Sequence, residues 1–196
     1  MMDVALLDLW LPIVVATVAG HFLSFVLWAV LPHHTPEWRK IPNESKMMDL
    51  IRDLPVPPGQ YMFPNLAHSD FKDPEKRALY TRGPIGTLTV WPGVSSMPRN
   101  MALTILFYLV SATAIAYLAT IALEASADGF EVFRFTATVA LLTFTFGGIP
   151  NGIWFRKSPR SMVTEFLDGV LMAALFGGVF SALWPEAQAV LSGGAG

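Results

Sequence analysis

The chain has 196 residues, of which 53% are hydrophobic and only 14% charged, against roughly a quarter charged in a soluble domain. A net charge of −2 excludes a strongly basic nucleic-acid binder, and the absence of cysteine excludes disulfides, thiolate nucleophiles and thiolate-held metal clusters. The charge deficit is local, because residues 9–31 and 101–123 carry no charged side chain at all.

Residues 1–8 hold no positive side chain, and the apolar run after them is too long for the core of a secretory signal. The first span, about residues 9–31, is therefore expected to be retained. About 20 apolar residues suffice to cross a bilayer core. Asp8 can cap this helix, and Pro12 falls in its first turn, where a missing N–H costs little. Ala16, Gly20 and Ser24 recur every four residues and predict close approach of another helix. His21 sits beside that line near mid-span. It reads either as a functional ionisable group or as a neutral histidine bonded to a neighbouring helix.

Residues 32–100 are the one sizeable polar segment and hold eleven of the fifteen prolines, which excludes long helices there. A short amphipathic helix is expected over residues 44–54, opened by Asn43. Short strands are expected at 60–63 and 87–91. Between the strands, Asp73-Pro74-Glu75 starts a brief helix that Gly83-Pro84 stops. A small mixed α/β loop subdomain against the membrane surface is the expectation.

The second span, about 101–123, carries Ala112, Ala116 and Ala119 on one side, and an acidic connection follows it. The third, about 132–154, begins beside Arg134. Near its end, Gly147-Gly148-Ile149-Pro150-Asn151-Gly152 predicts a kink or an early stop. Such a break either exposes backbone to an ion or substrate, as in transporters, or marks the interface. After the basic turn 155–161, the fourth span runs over about 162–184. Gly169, Ala173, Gly177 and Ser181 form its small-residue line. The fold class that follows is an all-α membrane protein, a four-helix transmembrane bundle with a mixed α/β insert between helices one and two.

Nine of the thirteen Lys and Arg lie in residues 32–100 and three in the basic turn, with only Arg134 on the opposite side. The positive-inside rule places residues 32–100 in the cytoplasm and both termini outside. Trp10 and Trp184 mark the outer boundary, and Trp28 and Trp154 the inner one, as an aromatic belt would.

Asp168 is the first candidate for chemistry, about 15 Å along the fourth helix, with Glu165 one turn earlier. A carboxylate at that depth must be protonated or paired, and Asn151 on the antiparallel neighbour is the expected partner. With His21 these residues make the candidate intramembrane polar site. It reads as a proton or cation site, as a grip on a small substrate, or as interhelical bonding alone. His33, His34, Glu37, His68 and Asp70 could be gathered around a metal ion. However, adjacent histidines rarely share one ion, and no HxH or HExxH spacing occurs. No metal or cofactor is therefore expected. Nucleophile-elbow, Walker and dinucleotide-binding motifs do not occur, and no catalytic residue is assigned.

Three sets of residues carry a resemblance. Leu31-Pro32-His33-His34 with Trp38-Arg39-Lys40-Ile41-Pro42-Asn43-Glu44 is one, and Pro57-Pro58-Gly59-Gln60-Tyr61-Met62-Phe63-Pro64 another. Gly83-Pro84-Ile85-Gly86, Pro150-Asn151-Gly152-Ile153-Trp154 and Phe166-Leu167-Asp168-Gly169 complete the pattern. Together they resemble a family of small uncharacterised bacterial inner-membrane proteins with four spans and one proline-rich cytoplasmic loop. The resemblance implies the architecture and a bacterial inner membrane but names no activity. A histidine that members often carry near the inner end of span one is replaced here by Trp28.

Three readings follow. A non-enzymatic accessory or scaffold subunit would use the small-residue faces to pack against itself or a partner membrane protein. A small transporter or channel subunit would use Asp168, Asn151 and the Pro150 kink. An intramembrane metalloenzyme would be built on His21 and the acids. The lipid bilayer is a partner in each, and nucleic acid in none.

Overall fold

The computed structural model describes residues 4–185. The expected outward placement of the two chain ends concerns residues outside that range. Four helical stretches are long and apolar enough to cross a membrane: Leu6–Val30, Met97–Ala122, Gly129–Trp154 and Pro159–Ala182. The chain is an all-α membrane bundle with a small α/β insert. It divides into two units, the spans with residues 1–38, and the insert Arg39–Ser96.

In the first unit, α1 (Trp10–Phe25) is preceded by a 3-10 turn at Leu6–Leu9 and continued by a π turn at Val26–Val30. In the insert, α2 (Glu44–Asp53), strand β1 (Gly59–Phe63), α3 (Pro74–Arg82) and strand β2 (Gly86–Val90) follow in order. The chain then returns to the bundle with α4 (Met97–Ala122) and α5 (Gly129–Thr145). A 3-10 turn at Phe146–Gly148 leads into the short α6 (Ile149–Trp154), and α7 (Pro159–Ala182) closes the bundle. Each spanning stretch starts three or four residues before the expected apolar limit, and in α5 and α7 this is because polar caps lie outside the hydrophobic run. Asp128 accepts the N–H groups of Phe130 and Glu131 at 2.8 and 2.9 Å, and Ser158 accepts that of Ser161 at 3.1 Å. Pro150 stands in the first turn of α6, so the expected interruption of span three is a restart of the helix.

α1 packs on α4 and α7, and α5 packs on the same two, most extensively on α7. The small-residue lines make these contacts. A Cβ at Gly20 would stand 2.8 Å from the ring of Phe176, and one at Gly177 would stand 2.6 Å from the Cβ of Ala137. One at Gly169 would meet Thr145 and come within 3.0 Å of the Phe144 carbonyl oxygen. Ala16 and Ala173 are buried, while Ser181 donates to the Gly129 carbonyl at 2.6 Å. Large apolar side chains such as Val14, Val18, Phe22, Leu103 and Val110 point outward. Small residues inside and large ones outside suit a bundle solvated by lipid. Buried threonines return their hydroxyls to their own helix, as Thr17 does to Ile13 and Thr136 to Val132, both at 2.7 Å.

Trp10, Trp28 and Trp154 are exposed, as interfacial tryptophans are, but Trp184 is buried and donates to the Glu124 carbonyl at 3.2 Å. It closes the end of the bundle instead of anchoring in headgroups.

In the insert, β1 and β2 pair antiparallel from Gly59 opposite Val90 to Phe63 opposite Gly86. Asp73 caps α3 by accepting from Glu75 N–H at 2.9 Å, and Gly83 ends it at φ +64°. Asn43 opens α2 from a left-handed conformation (φ +56°) that asparagine tolerates, without the side-chain cap expected of it.

Candidate functional site

The end of α1 prepares the site. Its last turn widens into a π turn in which Leu31 N–H reaches the Val26 carbonyl at 2.9 Å. Pro32 then starts a 3-10 segment, Pro32–Glu37, that carries His33, His34 and Glu37. This segment packs on α7, where Ser161, Thr164 and Asp168 recur at three- and four-residue steps on one buried face. Arg160, on the same stretch of α7, donates to the His33 carbonyl at 3.2 Å.

Both histidines converge on Asp168. His33 Nε2 lies 3.0 Å from Asp168 Oδ1, and His34 Nε2 lies 2.8 Å from Oδ2. His34 Nδ1 lies 3.0 Å from Glu37 Oε1, and the hydroxyls of Thr164 and Ser161 stand beside that carboxylate. Trp28, in the π turn, stacks on His34 with centroids 3.8 Å apart and an interplanar angle of 11°. The side chains of His34 and Glu37 are each 5% exposed, that of Asp168 12% and that of His33 29%. The cluster is enclosed on the His34 side and reachable from His33.

Protonation follows from the partners. Both nitrogens of His34 face carboxylate oxygens, an arrangement that favours the doubly protonated ring. Burial alone would lower the His34 pKa, but the bonds to Asp168 and Glu37 outweigh it and hold the ring above its ordinary 6.5. Burial alone would raise Glu37, but His34 and the Thr164 and Ser161 hydroxyls outweigh it and hold the carboxyl below its ordinary 4.5.

Ligand atoms of His33, His34 and Asp168 all lie within 4.8 Å of one another. A tetrahedral zinc with bonds of about 2.1 Å needs its donors about 3.4 Å apart, a spacing inside that 4.8 Å limit. Glu37 on His34 Nδ1 supplies the outer carboxylate that metal-bound histidines commonly have, fixing the ring so that Nε2 is the free donor.

The predicted residues fare differently. Asp168 is the hub, but its partners are His33 and His34, not Asn151, which is exposed on α6. The reason is local, since the segment after α1 folds back along α7 and reaches Asp168 first. Glu165 is paired with Lys157. His21 is not in the cluster, and its Nδ1 is buried without a hydrogen-bond partner among the described residues. Of the five loop residues considered for a metal, His33, His34 and Glu37 belong to this site. His68 and Asp70 belong to the insert, where Asp70 pairs with Lys76 at 2.6 Å. The expectation of no metal rested on adjacent histidines seldom sharing an ion and on the lack of HxH or HExxH spacing; in the structure the 3-10 backbone turns both Nε2 atoms to one carboxylate. The His-x-x-Glu spacing of His34 and Glu37 was the one legible signal.

Comparisons of the chain with protein-family models, with curated proteins and with solved structures found no match.

Proposed function

We propose that this protein binds one divalent first-row transition-metal ion through His33 Nε2, His34 Nε2 and Asp168, at the cytoplasmic end of a four-span membrane bundle. The observation that carries the reading is the convergence of two imidazoles on one buried carboxylate, with a second carboxylate behind His34. Charge supports it, since a divalent ion there would face two carboxylates, Asp168 directly and Glu37 through the His34 ring. Two histidines and one carboxylate suit zinc or ferrous iron, and fewer than four protein donors leave positions for an outside ligand.

The basic residues support the cytoplasmic side for this end, with Arg156, Lys157 and Arg160 in the short turn nearest the site. The accessory-subunit reading drew on small-residue faces in excess of what four helices need. Those faces are occupied within this chain, by Phe176 on Gly20 and by Ala137 on Gly177, which favours the metal reading over it.

The test is zinc content of the full-length protein, purified in mild detergent and dialysed against buffered zinc. Wild type should retain about one ion per chain, and H34A and D168N should retain none while staying monodisperse. An Asn151→Ala variant should bind as wild type. Equal zinc in wild type and D168N would sink the proposal.

A further inference from the structure

A cleft of about 250 Å³, open on one side, lies beside Asp168 among α1 with its π turn, α4, α5 and α7. Its body is apolar, with Trp28 from the π turn, Phe107, Phe144 and Met172, and its polar lining is Asp168 and Glu165 with the hydroxyls of Ser24, Tyr108 and Thr143. Asp168 and Trp28 are common to the cavity and the metal cluster, so the two are contiguous. His34 is closed elsewhere, by Trp28 on its face and Glu37 on Nδ1. The cleft therefore meets the cluster at Asp168.

We infer that this cavity binds a neutral single-chain amphiphile from the lipid phase, with a terminal hydroxyl directed at the His33–His34–Asp168 site. The cavity itself admits about eight methylene-sized groups, at roughly 30 Å³ each, and its open side, where Trp28 and Phe107 are half exposed, lets the end of a longer chain run out into lipid. Charge selects the head. An ammonium finds no unspent carboxylate, since Asp168 is held by two histidines and Glu165 by Lys157. A carboxylate head would lie against two acids. A hydroxyl avoids both costs and can complete the coordination of a bound ion. The role of that hydroxyl rests on the metal reading, whereas the fit to the cavity does not.

The experiment is photolabelling of the full-length protein in phosphatidylcholine vesicles with a diazirine-bearing ten-carbon alcohol, the adducts being mapped by mass spectrometry. Zinc is measured on the same sample. Adducts should concentrate on Phe144 and Met172, the lining residues turned away from lipid, and excess unlabelled 1-decanol should cut them to about a tenth. Met172→Trp, which fills the cavity, should do the same with zinc content unchanged. The matching ten-carbon acid should label these positions several-fold less. Adducts spread over outward residues such as Leu103 and Val110, or no competition by decanol in wild type, would overturn the assignment even if zinc is bound. The expected map in a protein that holds no zinc would uphold the cavity's ligand and refute the metal reading.

Discussion

At the scale of the residue, His34 is held on three sides: Trp28 covers its face, Asp168 takes one nitrogen and Glu37 the other. Glu37 contributes to metal binding only through that ring. Glu37→Gln should therefore weaken zinc affinity by about 10- to 100-fold without abolishing it, in a competition titration against a chelating dye. The metal-free protein should also show a pH signature. The His34 pKa is raised in the fold, so its contribution to stability is fully present below 6.5 and is lost as pH rises through the raised value. The Glu37 pKa is lowered, so its contribution is present above 4.5 and is lost as pH falls through the depressed value. Thermal unfolding in chelator should give a plateau between these limits, with Tm falling on either side. In His34→Gln the alkaline fall attributable to that ring should vanish, and an unchanged profile would refute the assignment of charge.

Elements differ in how tightly their glycines are held. α5 and α7 meet through Gly177 and Gly169, where any side chain collides with the neighbouring helix. Gly177→Leu should cost about 1–3 kcal/mol through overpacking. Gly148, in the turn between α5 and α6, has nothing within 4 Å of where a Cβ would stand and has ordinary helical backbone angles. Gly148→Ala should be neutral or stabilise by up to about 1 kcal/mol. Thermal melts of the two variants in one detergent check both, and equal melting points would contradict this account of helix packing. The π turn belongs to this scale as well, since it sets where Trp28 and the following histidines stand around the axis of α1.

For the molecule as a whole, the open question is which way the bundle faces. The cysteine-free chain makes the test direct. Ser126, exposed in the acidic connection, and Ser45, exposed in the insert, can each be changed to cysteine alone. In intact cells, a membrane-impermeant thiol reagent should label Ser126→Cys and should label Ser45→Cys only after lysis. The reverse pattern would place the metal site outside and overturn the cytoplasmic assignment.

Much of this was determined by the sequence alone. Hydrophobic length, the scarcity of charge and the proline-rich insert specify four spans and a small α/β unit, because each depends on neighbours within one segment. Asp73 as a cap, Gly83 as a stop and the small-residue lines are equally local. Asp168 could be marked as needing a partner, since a buried carboxylate must have one. Only the tertiary structure decided which partner. Residues 33 and 168 lie 135 positions apart, and their meeting depends on a π turn and a 3-10 segment that hydrophobic periodicity does not encode. The backbone hydrogen bonds of those two turns, with the packing of α1 on α7, bring two loop histidines to one acid.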